Sequence, residues 1–192
     1  MRVCDNGARK MHVKNTALLA VMTSVCVGIQ LAPRPPQIEF TSLICFLTGF
    51  LFGSFFGVSV GTLTMLINGF LSPWGFGGIN IPFQILGMAL IGFVGGVYRK
   101  SCKPPGNPSM RWFSLEVSFL AAFLTLIYEI IVTLGFVIFS EVNIIVALIA
   151  GALFTVVHVA SNTVLFGAAL FGLVRIAGNV LGEQLWGYKK EV

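Results

Sequence analysis

The sequence predicts an all-α integral membrane protein: a compact bundle of six transmembrane helices with its N- and C-termini in the cytoplasm. Three observations support this fold class. Hydrophobic residues make up 56% of the chain and charged residues only 10%, whereas a soluble domain contains about 25% charged residues. The hydrophobic residues form six apolar stretches, and the basic residues concentrate in alternate gaps between those stretches.

The basic residues orient the predicted helices, because moving Lys or Arg across the membrane during insertion is unfavourable and keeps them cytoplasmic. Eleven of the twelve Lys and Arg residues precede the first stretch, separate the fourth from the fifth or lie toward the end of the chain: Arg2, Arg9, Lys10, Lys14, Arg99, Lys100, Lys103, Arg111, Arg175, Lys189 and Lys190. Only Arg34 lies in a connection on the other side. The pI near 9.3 follows from this bias, so no nucleic-acid partner is implied.

The first three spans are predicted at about residues 16–31, 40–55 and 58–71. The first follows a basic segment and could pass for a signal peptide, but Gln30-Leu31-Ala32-Pro33 has no small residue at the −3 position of a cleavage site and places Pro directly after the cut. We therefore interpret it as a membrane helix. A hydrocarbon core of about 30 Å needs about 20 residues per helix, so the second and third spans are short.

The last three spans are predicted at about residues 82–98, 115–139 and 143–176. The fourth ends at the basic pair Arg99-Lys100, and the polar connector 101–110 leads to the fifth. The sixth would be about 50 Å long at 1.5 Å per residue, so its last turns should project into the cytoplasm. The chain is thus expected to form one transmembrane domain, residues 1–192, with cytoplasmic tails at 1–15 and 178–192.

The external connections differ in composition from the internal one. Pro33-Arg34-Pro35-Pro36 and the segment 72–78, which contains Pro73-Trp74-Gly75, combine turn-forming residues with large side chains. Loops of this composition can fold over a site. The external end of the bundle is therefore the expected location of a binding site.

Small residues recur at every fourth position in several spans. The first span carries Thr16, Ala20, Ser24 and Gly28; the second and third carry Gly49, Gly53, Gly57 and Gly61; and the fourth ends with Gly92 and Gly96. In lipid, close packing of small residues drives much of helix association. Two interpretations remain open for the first span: packing within the bundle, or a flat face that docks to another subunit.

Polar residues within the spans also share helix faces, which a membrane helix tolerates only where they face protein or water. These stripes comprise Ser118, Thr125, Glu129 and Thr133 on the fifth span; Gly151, Thr155, His158 and Asn162 on the sixth; Thr64, Asn68 and Ser72 on the third; and Asn80 and Gln84 at the start of the fourth. They predict a polar interior in the bundle.

Glu129 is the acidic residue deep within a span, and it needs a compensating partner because a central carboxylate costs about 2.5–3.5 kcal/mol. Counted inward from the external ends of their spans, Glu129 lies about 15 Å deep and His158 about 22 Å deep. Their side chains can therefore meet. Three roles remain open: a Glu–His or Glu–Asn pair that fastens two helices, the floor of a ligand pocket, or proton coupling.

The motifs do not predict an enzyme. Phe154-x-x-x-His158 and His158-x-x-x-Asn162 are similar to motifs of the CAAX-type intramembrane metalloproteases. One imidazole would have to serve both motifs, however, and the other histidine, His12, lies in the N-terminal tail. These residues cannot supply the three protein ligands of a catalytic zinc site, and we expect neither a metal nor another cofactor.

Three stretches resemble a known transporter family: Ile38-Glu39-Phe40 leading to Gly49-Phe50-Leu51-Phe52-Gly53; 68–75 followed by 82–88; and Tyr128-Glu129-Ile130-Ile131 with 158–166, which begins His158-Val159-Ala160-Ser161-Asn162. Together with six short spans and a small-residue face on the first helix, they resemble the membrane-embedded substrate-binding subunits of energy-coupling factor (ECF) transporters, called S components. Within that family they look most like the branch associated with cobalamin or its precursors.

The resemblance implies a multi-pass protein of a prokaryotic plasma membrane, with its N-terminus cytoplasmic, that binds a vitamin-like small molecule externally. Its implied partners, besides membrane lipid, are a transmembrane coupling subunit and a pair of cytoplasmic ATPases. The alternatives are a self-sufficient proton-coupled permease and a membrane assembly protein that does not transport.

The resemblance also implies site residues. The substrate pocket would include Arg34, Glu39, Asn68, Trp74, Asn80, Gln84, Tyr128, Glu129, His158 and Asn162. Trp74 is the leading candidate, since an indole on a Gly/Pro loop can close over an aromatic or corrinoid ring; the alternative is an interfacial anchor. Docking to the partner would use Thr16, Ala20, Ser24 and Gly28, with Ala20 and Ser24 in place of the family's Ala-x-x-x-Ala pattern.

Overall fold

The computed structural model describes residues 2–33, 35, 37–72, 77–101 and 110–186, and this part of the chain contains helices and connections but no strand. The helices are α1 (Arg2–Leu31), α2 (Thr41–Phe52), α3 (Ser54–Leu71), α4 (Ile81–Ser101), α5 (Met110–Ser140), α6 (Ile144–Leu165) and α7 (Phe171–Trp186). A 3-10 turn, Gly78–Asn80, precedes α4, and a π-helical turn, Phe166–Leu170, joins α6 to α7. Because α6 and α7 form one continuous rod, the described residues make six helical rods.

Five of these rods are long and apolar enough to cross a membrane, and α2 is the shorter apolar helix. The structure thereby confirms the predicted all-α membrane bundle. Its 12 residues make α2 about 18 Å long, too short to cross a bilayer alone. All but Ile44 and Phe52 of its residues are buried. It packs against α1, α3, α4 and α7, so other helices cover it.

Gly53 separates α2 from α3 with a single residue. Its φ of 104° lies in a region that side-chain-bearing residues rarely adopt, and its amide still donates to the carbonyl of Gly49. At the same end of α2, the Arg99 guanidinium donates to the Leu51 carbonyl at 2.5 Å. Gly53 therefore allows two consecutive helices to pack tightly on α4, and Arg99 satisfies a carbonyl that the end of α2 leaves free.

The glycines of α2, α3 and α4 bring the three backbones into direct contact. A Cβ added at Gly92 would overlap the backbone of Gly57, and one added at Gly49 would overlap the Gly92 carbonyl. A Cβ at Gly61 would stand 2.8 Å from the Met88 carbonyl oxygen. These glycines pack inside the bundle, as one of the two interpretations of the small-residue pattern predicts.

The small-residue stripe of α1 has a different environment. Thr16, Ala20, Ser24 and Gly28 are all exposed, and a Cβ added at Gly28 would meet nothing within 4 Å. The buried residues of α1, which include Gln30, lie on a neighbouring face of the helix. The α1 stripe is therefore not used for packing within the bundle.

The rod formed by α6 and α7 packs against the bundle along one face of its middle part. Asn143 caps α6 by accepting a hydrogen bond from the amide of Ile145 at 2.8 Å. Along α6 the buried residues are His158 and Asn162, and Phe166 and Leu170 continue the same face through the π-helical turn. The remaining faces of α6 carry exposed apolar side chains, as expected of a helix in contact with lipid.

We predict that Gly92→Ala destabilises the protein, because an added methyl group would collide with the backbone of α3. Overpacking of this kind costs about 1–3 kcal/mol. The matched control is Gly28→Ala, where no neighbouring atom lies within 4 Å. Unfolding of the purified proteins in one detergent, followed by temperature or denaturant, measures the difference; equal stability of the two variants would contradict the glycine contact.

Candidate functional site

A cavity of about 330 Å³ lies near one end of the bundle. The cavity is lined by eleven residues, which come from α1, α3, α4, α5 and α6 and from the segments just before α2 and just after α3. They are Gln30, Gln37, Glu39, Met65, Asn68, Ser72, Gln84, Tyr128, Glu129, Val132 and His158. Gln30 lies at the end of α1, Asn68 near the end of α3 and Gln84 near the start of α4. The cavity is therefore at the end of the bundle opposite to the start of α1 and the end of α4, where the basic residues are placed.

Six of the ten predicted pocket residues line this one cavity: Glu39, Asn68, Gln84, Tyr128, Glu129 and His158. They come from the segment before α2 and from α3, α4, α5 and α6. Arg34 and Trp74 lie outside the described residues. The structure thus brings into one site predicted residues that are up to 119 positions apart in the sequence, the separation of Glu39 and His158.

Asn162 and Asn80 do not line the cavity. Asn162 is fully buried, and its Nδ2 donates to the Thr125 hydroxyl at 3.0 Å, which joins α6 to α5. The Asn80 side-chain oxygen packs against α5, where it would stand 2.8 Å from a Cβ added at Gly135. The Asn162 bond links two helices, whereas the Asn80 oxygen accepts no hydrogen bond from the described residues. A role of these two residues in binding stays a prediction.

Three ionisable side chains in the lining of the cavity form a bridge between the segment before α2, α6 and α5. His158 Nδ1 lies 2.5 Å from Glu129 Oε1, which is the contact that the depth of the two residues predicts. His158 Nε2 faces Glu39 Oε1 at 3.3 Å, an ion-pair distance without hydrogen-bond geometry. His158 is 2% exposed and Glu39 7% exposed. Charges in a membrane interior require partners, and a protonated imidazole between two carboxylates would supply one for each of them.

Glu39 is held on two further sides. Gln30 Nε2 of α1 donates to Glu39 Oε2 at 2.8 Å, and the Ser42 hydroxyl of α2 donates to Glu39 Oε1 at 3.1 Å. Through these bonds and His158, one carboxylate connects α1, α2 and α6. A buried carboxylate that accepts several hydrogen bonds has a fixed orientation, so Glu39 presents a defined surface to the cavity.

The backbone just before Glu39 is also fixed. Gln37 has a φ of 65°, which is uncommon for a residue with a side chain. Its carbonyl accepts a hydrogen bond at 3.0 Å from the Ser161 hydroxyl of α6. Residues held in such conformations persist where surrounding contacts determine them, and they concentrate at ligand clamps and switches.

One wall of the cavity is aromatic and apolar. The Tyr128 ring fits against the bare backbone of Gly87, where an added Cβ would lie 2.5 Å from a ring carbon. The same ring meets the His158 imidazole edge to face, with centroids 5.9 Å apart and an angle of 87°. Met65 and Val132 add apolar surface. The cavity therefore combines an apolar wall with amide, hydroxyl and carboxylate groups, as small-molecule sites do.

Five lining residues were not among the predicted pocket residues: Gln30, Gln37, Met65, Ser72 and Val132. Gln30 carried a usable signal, because it is an amide near one end of an apolar span, as Gln84 is. Ser72 was part of a predicted polar stripe but was not assigned to the pocket. Met65 and Val132 are apolar residues in apolar helices and carried no signal.

The chemistry of the site fits reversible binding of a polar organic molecule. Amide side chains supply both donors and acceptors, and the aromatic wall can contact an apolar ring. Among the described residues, no group of three or more His, Cys, Asp or Glu side chains is arranged to hold a metal ion.

A protein-family model described as "ECF-type riboflavin transporter, S component" matches residues 10–164. This range includes every residue that lines the cavity. No curated protein and no solved structure matches the chain significantly.

Proposed function

Since the chain belongs to the family of ECF-type S components, we propose that it is the high-affinity membrane subunit that captures one vitamin for uptake, energised by separate subunits. Members of this family are components of transporters and not enzymes. The observation that carries the proposal is the cavity of about 330 Å³, into which five helices and the segment before α2 direct polar side chains.

We propose a substrate of the size and chemistry of riboflavin. The matched family model carries that vitamin in its description. The cavity lies at the lower end of the range of about 300–1,000 Å³ for ligand sites. Asn68, Gln84 and Gln37 can pair with the imide edge of a flavin, and Tyr128 can contact its ring. A corrinoid is much larger than this cavity, and the resemblance to the cobalamin branch is not confirmed.

Binding of riboflavin to the purified protein is the direct test, measured by quenching of the vitamin's fluorescence. We predict that Gln84→Leu, which keeps the side-chain volume and removes the amide, weakens binding about 10-fold, as expected for loss of a net hydrogen bond of about 1.4 kcal/mol. Thr155→Val, at a half-buried position of α6 outside the cavity, serves as control. Binding of cobalamin or cobinamide without binding of riboflavin would contradict the proposed substrate and leave the S-component function intact.

We also propose that the cavity faces the outside of the cell and that both termini are cytoplasmic. The support is the arrangement of charge along the rods. Arg99 and Lys100 end α4, and Lys14 lies on α1 before its apolar stretch, so these basic residues are at the end away from the cavity. By the positive-inside rule that end is cytoplasmic.

Labelling of single cysteines at the two ends of α4 tests this orientation. We expect Ile79→Cys, at a position 58% exposed, to react with a membrane-impermeant thiol reagent added to intact cells. We expect Ser101→Cys, an exposed position at the other end, to react only after permeabilisation. Cys4 and Cys102 are replaced by serine beforehand, and the opposite labelling pattern would reverse the topology.

We propose that the α1 stripe, Thr16, Ala20, Ser24 and Gly28, docks to a transmembrane coupling subunit that works with a pair of ATPases. The proposal is supported by two properties of these four residues: their side chains are small, and all four are exposed. Small residues on an exposed membrane helix allow another helix to approach closely.

We predict that Ala20→Trp leaves vitamin binding by the isolated protein unchanged and abolishes uptake by the assembled transporter, because the added ring blocks only the approach of the partner helix. The matched control is Val21→Trp, which adds the same ring at a neighbouring position that is 60% exposed and outside the stripe. Binding in detergent and uptake in cells are measured for both variants. Normal uptake by Ala20→Trp would exclude docking through this face.

A further inference from the structure

Residues 37–40, which we call the strap, join the loop after α1 to α2 and lie beside the cavity. The strap is attached to α6 at two points: the Gln37 carbonyl accepts from Ser161 at 3.0 Å, and Glu39 faces His158 at 3.3 Å. It is attached to α1 by the Gln30–Glu39 bond of 2.8 Å. By contrast, α6 packs chiefly against α5. The strap thus connects α1 to α6 beside the cavity.

The titratable groups around His158 come from each side of the site. On α5, Glu129 contacts Nδ1 and the Tyr128 ring meets the imidazole edge to face. From the strap, Glu39 faces Nε2. Beyond Glu39, the buried thiols of Cys26 on α1 and Cys45 on α2 lie in the adjacent core. One imidazole therefore stands between two carboxylates, and its protonation state determines whether it attracts both.

We propose that the bridge Glu39–His158–Glu129 is a proton-binding site that is coupled to the ligand cavity: with a proton on both ring nitrogens the strap is closed, and loss of one proton releases it. This inference rests on the proposed function only for its ligand. The proton acts here as a second ligand of the same site, so proton and vitamin must affect each other's binding reciprocally.

The direction of the effect follows from hydrogen-bond chemistry. An imidazolium has a donor on each ring nitrogen, whereas a neutral imidazole has one donor and one acceptor. The Glu129 contact, at 2.5 Å, is the shorter of the two, so the remaining proton stays on Nδ1. Nε2 then presents a lone pair to the Glu39 carboxylate, and two acceptors repel each other. The strap should therefore be held at lower pH and released as pH rises.

The first test follows the strap without any ligand. Nitroxide labels are placed on Phe40→Cys, in the strap, and on Ile145→Cys, an exposed position of α6. Cys4 and Cys102 are replaced by serine, while the buried Cys26 and Cys45 are kept. Pulsed electron paramagnetic resonance then gives the distance distribution between the labels from about pH 5 to about pH 10, a range that spans histidine titration. We expect a narrow distribution at the acidic end and a broad one at the alkaline end.

Two variants make this test specific. In His158→Gln the distribution should no longer depend on pH, because the amide does not titrate. In Glu129→Gln the change of the distance distribution with pH should occur at lower pH, because a carboxylate that favours the imidazolium is lost. If His158→Gln does not fold, Glu129→Gln is the variant that tests the proposal. Ser161→Ala, which removes the other attachment and no titratable group, should retain the pH dependence. A wild-type distribution that does not change with pH, or one that changes equally in His158→Gln, would overturn the proposal.

The second test measures coupling to the ligand, with riboflavin as the probe. We expect riboflavin affinity to fall at least about 10-fold between the acidic and alkaline ends of the strap transition, and to be flat with pH in His158→Gln. If riboflavin does not bind at any pH, the proposed substrate fails, and the distance measurement still decides whether the proton site exists. Binding that is independent of pH while the strap opens would overturn the coupling.

Discussion

The bundle depends on the contact between the backbones of α2, α3 and α4 at their glycines. A side chain at Gly49, Gly57 or Gly92 would overlap a neighbouring backbone, so only glycine allows the separations that the structure has. This contact places α2, which is too short to span a bilayer, at the centre of the fold. In lipid, where burying apolar surface between helices gains little, packing of this kind has to replace the hydrophobic effect.

The position of α2 in turn determines the site. Because α2 is short and central, its first turn begins well inside the bundle, and the segment before it brings Glu39 to the middle of α6. There Glu39 meets His158, which Glu129 holds from α5. Isolated charges in this environment would be costly. In the structure, the side chains of Gln30 and Ser42 and the three ionisable groups form one connected polar network beside the cavity.

Helix α1 has two faces with different tasks in the proposed function. Its inner face ends in Gln30, which contacts Glu39 at the cavity, and its outer face carries the exposed stripe that ends at Gly28. Gln30 and Gly28 are only two residues apart, at the end of α1 that lies beside the cavity. In the proposed function, a displacement of α1 on docking would reach the strap, and with it the cavity, through the Gln30–Glu39 bond.

The sequence by itself determined the class of fold and indicated the helical stretches and the nearness of Glu129 to His158, because apolar length, basic residues and depth along a helix can all be derived from the order of residues. It left open whether Glu129 pairs with a His or an Asn, and the structure shows the contact with His158. It also indicated six of the eleven residues that line the cavity, since polar residues within apolar spans are tolerated only where they face protein or water. Only the tertiary structure decided which small-residue stripe faces inward, that Asn162 pairs with Thr125 outside the cavity, and that Gln30 and Glu39 join the bridge. The physical reason is that helical periodicity indicates which residues share a face of a helix. The rotation of each helix about its own axis, which decides what that face contacts, depends on packing among all the helices. Here that rotation is set by the glycine contacts of α2, α3 and α4.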